Sequence, residues 1–127
     1  YEVRYDDKAE SELEFCKKMY KNHAINSKNM NTVKSVILDI SGGGIRFSLS
    51  TPLEEGTYFM AQFSLALEEC TQQFNIVCKV INCTQSLDYA DRYFARSKFI
   101  FDRMTEREKI VRFVFEEERR IRRREME

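Results

Sequence analysis

The sequence predicts a mainly β domain, with six antiparallel strands in a barrel or a sandwich followed by a C-terminal α-helix. Three observations predict this class. Apolar and polar residues alternate in several short segments, which is the pattern of half-buried strands. Turn-forming residues separate these segments, as they do in antiparallel barrels and sandwiches. Near its end the chain changes to apolar residues at helical spacing.

The first strand is predicted at Tyr1–Tyr5, and a length of 127 residues predicts a single domain over residues 1–127. Residues 6–31 interrupt the strand pattern and are interpreted as an insertion. Within it, Ala9–Tyr20 has the spacing of a short amphipathic helix, and Asn22–Asn31 is a polar loop. Because the chain begins with Tyr1 rather than Met, we expect it to be a fragment of a longer protein.

Five further strands are predicted after the insertion. β-branched and aromatic residues alternate with polar ones in each of them, which favours one buried face per strand. Glycine and proline, including Pro52 and Gly56, lie in the connections. The predicted strands are Thr32–Ile40, Ile45–Leu49, Tyr58–Leu67, Phe74–Cys83 and Tyr93–Phe101.

Residues 105–127 are predicted to form the C-terminal helix. Thr105 and Glu108 have the spacing of a capping box, in which each side chain bonds the other residue's backbone amide. Ile110 and the Phe113–Phe115 segment suit packing against the sheet, with a partner surface as the alternative. The Arg-rich end of the helix is interpreted as a solvated face, because glutamates are interleaved with the arginines; binding of nucleic acid or lipid is the alternative.

The formal net charge is zero, so the composition does not favour binding to DNA or RNA. No apolar run approaches the roughly 20 residues that a spanning helix needs. We therefore expect a cytoplasmic protein that is not inserted in a membrane.

Metal binding and catalysis have little support in the sequence. The four cysteines lack C-x-x-C spacing, and the only histidine is His23, so a zinc site is not predicted. We interpret the cysteines as reduced thiols. Because no set of nucleophile, histidine and acid is recognisable, we expect a protein that is not an enzyme and has no cofactor. The cysteines are Cys16, Cys70, Cys78 and Cys83.

The segment Leu38–Phe47 joins two predicted strands through three glycines and carries the candidate site. Asp39 offers a carboxylate that can accept hydrogen bonds from a guanine edge, and Ser41 offers a hydroxyl to a base or a phosphate. Glycine tolerates positive φ and the close approach of another molecule, and a glycine-rich turn exposes amides that can cradle a phosphate. A β-turn held by an Asx-type bond has the same pattern, so both interpretations stay open. The candidate ligand-binding residues are Asp39, Ser41, Gly42, Gly43, Gly44 and Arg46.

This segment resembles the D-x-S-x-x-G motif of PilZ domains, which are six-stranded antiparallel barrels that bind cyclic di-GMP. Tyr93–Phe101 resembles the last barrel strand of that family, and Thr105–Arg124 resembles its C-terminal helix. The resemblance therefore extends from about Thr32 to Arg124. It implies a PilZ-type barrel with a short helical insertion after the first strand, and a bacterial signalling domain whose ligand is cyclic di-GMP.

One feature of the family is missing from this sequence. PilZ domains carry an R-x-x-x-R motif ahead of D-x-S-x-x-G, whereas the only arginine before Asp39 is Arg4. Arginine pairs with this spacing occur only after the turn, and chance accounts for them in a chain so rich in arginine. Either the motif lies upstream of Tyr1, which we favour, or this is a divergent member without it.

The resemblance implies a sensor that regulates motility, adhesion or exopolysaccharide output, with a possible protein partner in the flagellar, pilus or polysaccharide machinery. The alternative is a degenerate PilZ-like module that binds a protein and no dinucleotide. A small RNA-binding barrel is the weakest interpretation, because the strands carry few basic and aromatic residues together.

Overall fold

The computed structural model describes residues 14–21 and 35–126, with the side chain of residue 126 left out. The chain divides into two units, Tyr1–Val33 and Lys34–Glu127. In the first unit, residues 14–21 are helical (α1), in agreement with part of the helix predicted at Ala9–Tyr20. The strand predicted at Tyr1–Tyr5 and the loop predicted at Asn22–Asn31 lie outside the described residues.

The second unit is one antiparallel sheet of five strands followed by a long helix. The strands are ordered β1-β2-β5-β4-β3, so the two last strands along the chain sit between the β1–β2 hairpin and β3. The elements are β1 (Val36–Ile40), β2 (Gly44–Leu49), β3 (Tyr58–Ala66), β4 (Thr71–Gln85), β5 (Tyr93–Ile100) and α2 (Met104–Met126). The five strands predicted after the insertion and the C-terminal helix are therefore confirmed.

The sheet curls around the apolar face that the alternating pattern predicted. Phe47 of β2 and Phe59 of β3 have ring centroids 5.4 Å apart, although two other strands separate β2 from β3 in the sheet. Such a contact requires strong curvature toward the buried side. The buried core comprises Ile45, Phe47, Leu49, Ala61, Leu65, Phe74, Ile76, Cys78, Ala95, Phe99 and Ile110.

The described residues form five strands in a curled sheet, where six strands in a barrel were predicted; the sixth, Tyr1–Tyr5, lies outside the described residues. The predicted extent of one strand is wrong, because β4 is 15 residues long and includes polar residues that were assigned to its flanking connections. The polar ends are strand because they complete two hairpin ladders: Gln72 pairs with Leu65, and Gln85 pairs with Tyr93.

Helix α2 packs one face on the core and leaves another exposed. Ile110 is fully buried in the core, and Phe113 packs against it from a partly exposed position, whereas Phe115 is 56% exposed. The helix begins at Met104, so Thr105 lies inside it and is not the N-cap residue. The predicted capping box is therefore wrong. The bond at this end instead joins the Glu106 amide to the Arg103 carbonyl, 3.3 Å away. Neither described helix is long and apolar enough to cross a membrane.

Glu116 fixes α2 to the connection between β3 and β4. Its carboxylate is buried and accepts hydrogen bonds from the Glu68 amide at 3.3 Å and from Arg112 Nε at 3.2 Å. A buried carboxylate is stable only when such donors replace the lost water. This contact therefore sets where the helix lies over the end of the sheet.

Candidate ligand-binding turn and the strand face beside it

The connection between β1 and β2 is closed by the Ser41 hydroxyl. The Ser41 amide donates to the Gly44 carbonyl at 2.9 Å. Its Oγ accepts from the Gly43 amide at 3.2 Å and from the Gly44 amide at 3.3 Å. A serine hydroxyl thus performs the role that the turn interpretation gave to an Asx-type bond, and it uses two of the backbone amides that a phosphate would need.

The glycines of the turn are required by close packing within the protein. A Cβ on Gly42 would lie 2.8 Å from Cγ2 of Val111 in α2. A Cβ on Gly44 would overlap the carbonyl oxygen of Ser97 in β5 and lie 3.0 Å from its carbon. Positive φ does not explain them: among the described residues only Gly56 has it, with φ 84°. Of the two properties of glycine considered above, the turn uses tolerance of close approach and not positive φ.

The turn is also bonded to the neighbouring strand. The Phe99 amide of β5 donates to the Gly43 carbonyl at 2.8 Å. Gly43 itself has room, since the nearest atom to a Cβ placed there is Ser41 Oγ at 3.9 Å. The turn is consequently held from two sides, by β5 and by α2, before any ligand is considered.

Asp39 and Arg46 lie opposite each other on the outer face of the hairpin. The register pairs Asp39 of β1 with Arg46 of β2, and both side chains are exposed. A register shift between Ile37 and Asp39 places the carboxylate on this face. Arg46 points outward because its neighbours Ile45 and Phe47 are buried. The hairpin thus brings all six predicted site residues together at one end of the sheet.

Strand β5 adds charged residues that the sequence did not place beside this site. Arg96 lies directly opposite Arg46, and Asn82 of β4 lies opposite Arg96. Two residues further along β5, Lys98 pairs with Gly44 on one side and with Lys79 on the other. The Nζ atom of Lys79 lies 5.4 Å from the Tyr58 ring centroid. Alternation in Tyr93–Phe101 indicates which residues face outward. Only the strand order reveals that they flank the hairpin.

Metal binding and thiol chemistry are not centred on this turn. In the part of the chain that the structure describes, no group of three or more His, Cys, Asp or Glu side chains could hold a metal ion. No disulfide joins the four cysteines to one another. Burial raises the pKa of the Cys78 thiol from 9.0 to about 12, against a smaller lowering by a hydrogen bond with Ser97. Cys78 is therefore a protonated core residue at neutral pH.

Comparison with protein families identifies the domain. The sequence model of the PilZ domain matches residues 20–116, which is more than half of the 127-residue chain. The chain belongs to the PilZ domain family. The match covers every described strand and the part of α2 that packs on the core. PilZ domains bind cyclic di-GMP and act as binding and adaptor domains.

Neither the curated proteins nor the solved structures contain a match to this chain. The family assignment therefore depends on the PilZ match, and the curled antiparallel sheet with its C-terminal helix agrees with it.

Proposed function

We propose that this PilZ domain is a non-enzymatic receptor for cyclic di-GMP, with the ligand lying on the outer face of the β1–β2 hairpin. The observation that carries the proposal is the pairing of exposed Asp39 with exposed Arg46, next to the turn that Ser41 closes. A carboxylate and a guanidinium side by side can bind a guanine edge and a phosphate of one ligand.

Each residue of the hairpin has a distinct role in this proposal. The Asp39 carboxylate accepts hydrogen bonds from the N1 and N2 hydrogens of guanine. Ser41 holds the turn and presents its hydroxyl to the ligand. Gly42 and Gly44 keep the turn packed on α2 and β5, and Gly43, which has no side chain on its open side, lets a flat base approach closely. Arg46 supplies positive charge to the phosphates.

The other half of the site is proposed to come from arginines ahead of Tyr1. Only Arg4 precedes Asp39 in this sequence, so the arginine pair of the family is not matched within it. Arginines on an upstream arm would stack on the guanines and close over the ligand. Such ordering of a segment on binding is a common way to create a surface that a partner can sense.

The proposed output is control of motility, adhesion or exopolysaccharide production in a bacterial cytoplasm, through a flagellar, pilus or polysaccharide protein. The packing of Gly42 against Val111 supports a route for such a signal. A ligand that shifts the turn would press directly on α2, and α2 carries exposed Phe115 and Ile121.

Isothermal titration calorimetry with cyclic di-GMP tests the receptor proposal. It is measured on this chain and on a longer chain that includes the natural residues ahead of Tyr1. We expect the longer chain to bind and Asp39→Ala to weaken binding at least tenfold, because a bond to a charged group is worth about 1.5–3 kcal/mol. Asp91→Ala, at an exposed position in the β4–β5 loop, is the matched control. If the longer chain gives no heat of binding, the receptor proposal is ruled out.

A second function, a protein-binding module without a dinucleotide, is favoured by one observation. The amides of Gly43 and Gly44 already donate to Ser41, so the turn is complete without a ligand. This alternative predicts that no arginine pair lies upstream of Tyr1 and that the exposed face of α2 binds the partner. Phe115→Ser would then abolish partner binding, whereas Asp39→Ala would leave it unchanged.

A further inference from the structure

We infer that Arg46 and Arg96 together form a phosphate-binding pair, so that strand β5 contributes to the ligand site. This inference deepens the proposed function and rests on it. The two arginines lie directly opposite each other on adjacent strands, and both are exposed on the face that carries Asp39. Directly opposite residues have Cβ atoms about 5 Å apart, so both guanidinium groups can contact one phosphate.

In the described part of the chain, the two arginines have less negative charge around them than positive charge of their own. Like charges directly opposite in a sheet destabilise it. Among the described residues, neither Arg46 nor Arg96 has a carboxylate within the 4.0 Å of an ion pair. Their neighbours in the ladder are Asp39, Gly44, Ser48, Asn82, Phe94 and Lys98, of which only Asp39 is acidic. Two opposed cations with one nearby carboxylate favour an anion as the missing partner.

The turn itself cannot supply all the donors that the phosphates need. A cyclic dinucleotide carries two phosphates, yet Gly43 and Gly44 already donate their amides to Ser41. Arginine offers five N–H donors in a planar fork that matches phosphate oxygens. Arg96 is two strand spacings from Asp39, or about 10 Å, so it can reach a phosphate of a ligand whose guanine lies on Asp39.

Calorimetry with cyclic di-GMP on the longer chain tests this pair through Arg46→Thr and Arg96→Thr. Threonine suits an exposed strand position, so the sheet is preserved. We expect each variant to bind at least tenfold more weakly and with a smaller dependence of affinity on salt, and Arg96→Lys to recover part of the loss. Arg122→Ala, at an exposed position on α2, is the control and should bind like the unaltered protein. Thermal unfolding without ligand should show no loss of stability in Arg96→Thr, because a repulsion is removed.

The outcomes separate this inference from the proposed function. If Asp39→Ala weakens cyclic di-GMP binding but Arg96→Thr binds normally, the arginine pair is overturned and the receptor proposal is retained. If cyclic di-GMP does not bind at all, inorganic pyrophosphate is titrated while NMR follows the Nε–H signals of Arg46 and Arg96. Saturable shifts of both signals, with the Arg46 shift lost in Arg96→Thr, would preserve an anion site without the receptor. If neither signal shifts, the arginine pair is overturned together with the receptor.

Discussion

Gly42 and Val111 touch across the gap between the β1–β2 turn and helix α2, with 2.8 Å between Cγ2 of Val111 and the place of a Cβ on Gly42. That distance is too short for any side chain at position 42 unless the Val111 side chain or one of the two elements moves. Further along α2, Glu116 accepts a hydrogen bond from the Glu68 amide of the β3–β4 connection. Helix α2 thus bridges two connections of the sheet, one of which carries the candidate site.

Gly42→Ala is expected to lower the free energy of unfolding by about 1–3 kcal/mol, the usual cost of overpacking. Valine has one strongly preferred rotamer in a helix, so turning its methyl group away has a free-energy cost. The effect is measured by urea denaturation. In Gly42→Ala/Val111→Ala the clash is absent, so the double variant should lose less stability than the sum of the two single changes.

Strict additivity of the two changes in stability would contradict a direct contact between residues 42 and 111.

The same variants also test whether the turn transmits a signal to α2. If the turn acts on α2, Gly42→Ala should also change the exposure of the helix, which hydrogen exchange of α2 amides would report.

Gly44→Ala is predicted to be far more harmful than Gly43→Ala. At position 44 a Cβ would overlap the Ser97 carbonyl oxygen and lie 3.1 Å from the Lys98 Cα, and neither backbone atom can move without breaking the β2–β5 ladder. At position 43 the nearest atom is 3.9 Å away. We expect a loss of about 3 kcal/mol or more for Gly44→Ala, as for other large steric defects, and less than about 1 kcal/mol for Gly43→Ala. Equal losses would contradict this account.

Much of the fold was predictable because the apolar alternation is strong. Phe59, Ala61 and Leu65 have the period of a half-buried strand, and each lies in the core or packs against it. The length of β4 was not predictable, since Gln72 and Gln85 are strand only through their partners on β3 and β5. A single sequence does not contain that pairing.

The candidate site was predictable as a hairpin but not as a surface. The D-x-S-G-G-G segment identifies the turn, and alternation gives the outward residues of each strand. The contact of Gly42 with Val111 and the pairing of Arg46 with Arg96 join segments 50 or more residues apart, which only the sheet order and the helix docking specify. The partners that require Gly42 and Gly44 were not predictable either, because these contacts form only after folding.

Glu116→Ala is expected to destabilise the protein by about 1.5–3 kcal/mol, since it removes bonds to a charged group and leaves the Glu68 amide unpaired. Glu118→Ala, at an exposed position two residues further along α2, is the matched control and should change stability by less than about 0.5 kcal/mol. Thermal and urea unfolding of both variants would measure the difference. A loss confined to Glu118→Ala, or equal in both, would contradict the anchoring role of Glu116.

Cys78 is predicted to make stability fall at alkaline pH. Burial raises the pKa of its thiol to about 12 in the folded protein, above the ordinary 9.0 of an unfolded chain. Its contribution to the free energy of unfolding is therefore fully present below pH 9 and is lost as the pH rises from 9 to 12, because the unfolded state releases the proton first. The added slope approaches about 1.4 kcal/mol per pH unit. Urea unfolding between pH 8 and 11 should thus depend less on pH in Cys78→Val than in the unaltered protein. Cys70→Ser, which alters an exposed thiol, should leave that dependence unchanged, and an equal slope in all three proteins would show that Cys78 ionises as it does in water.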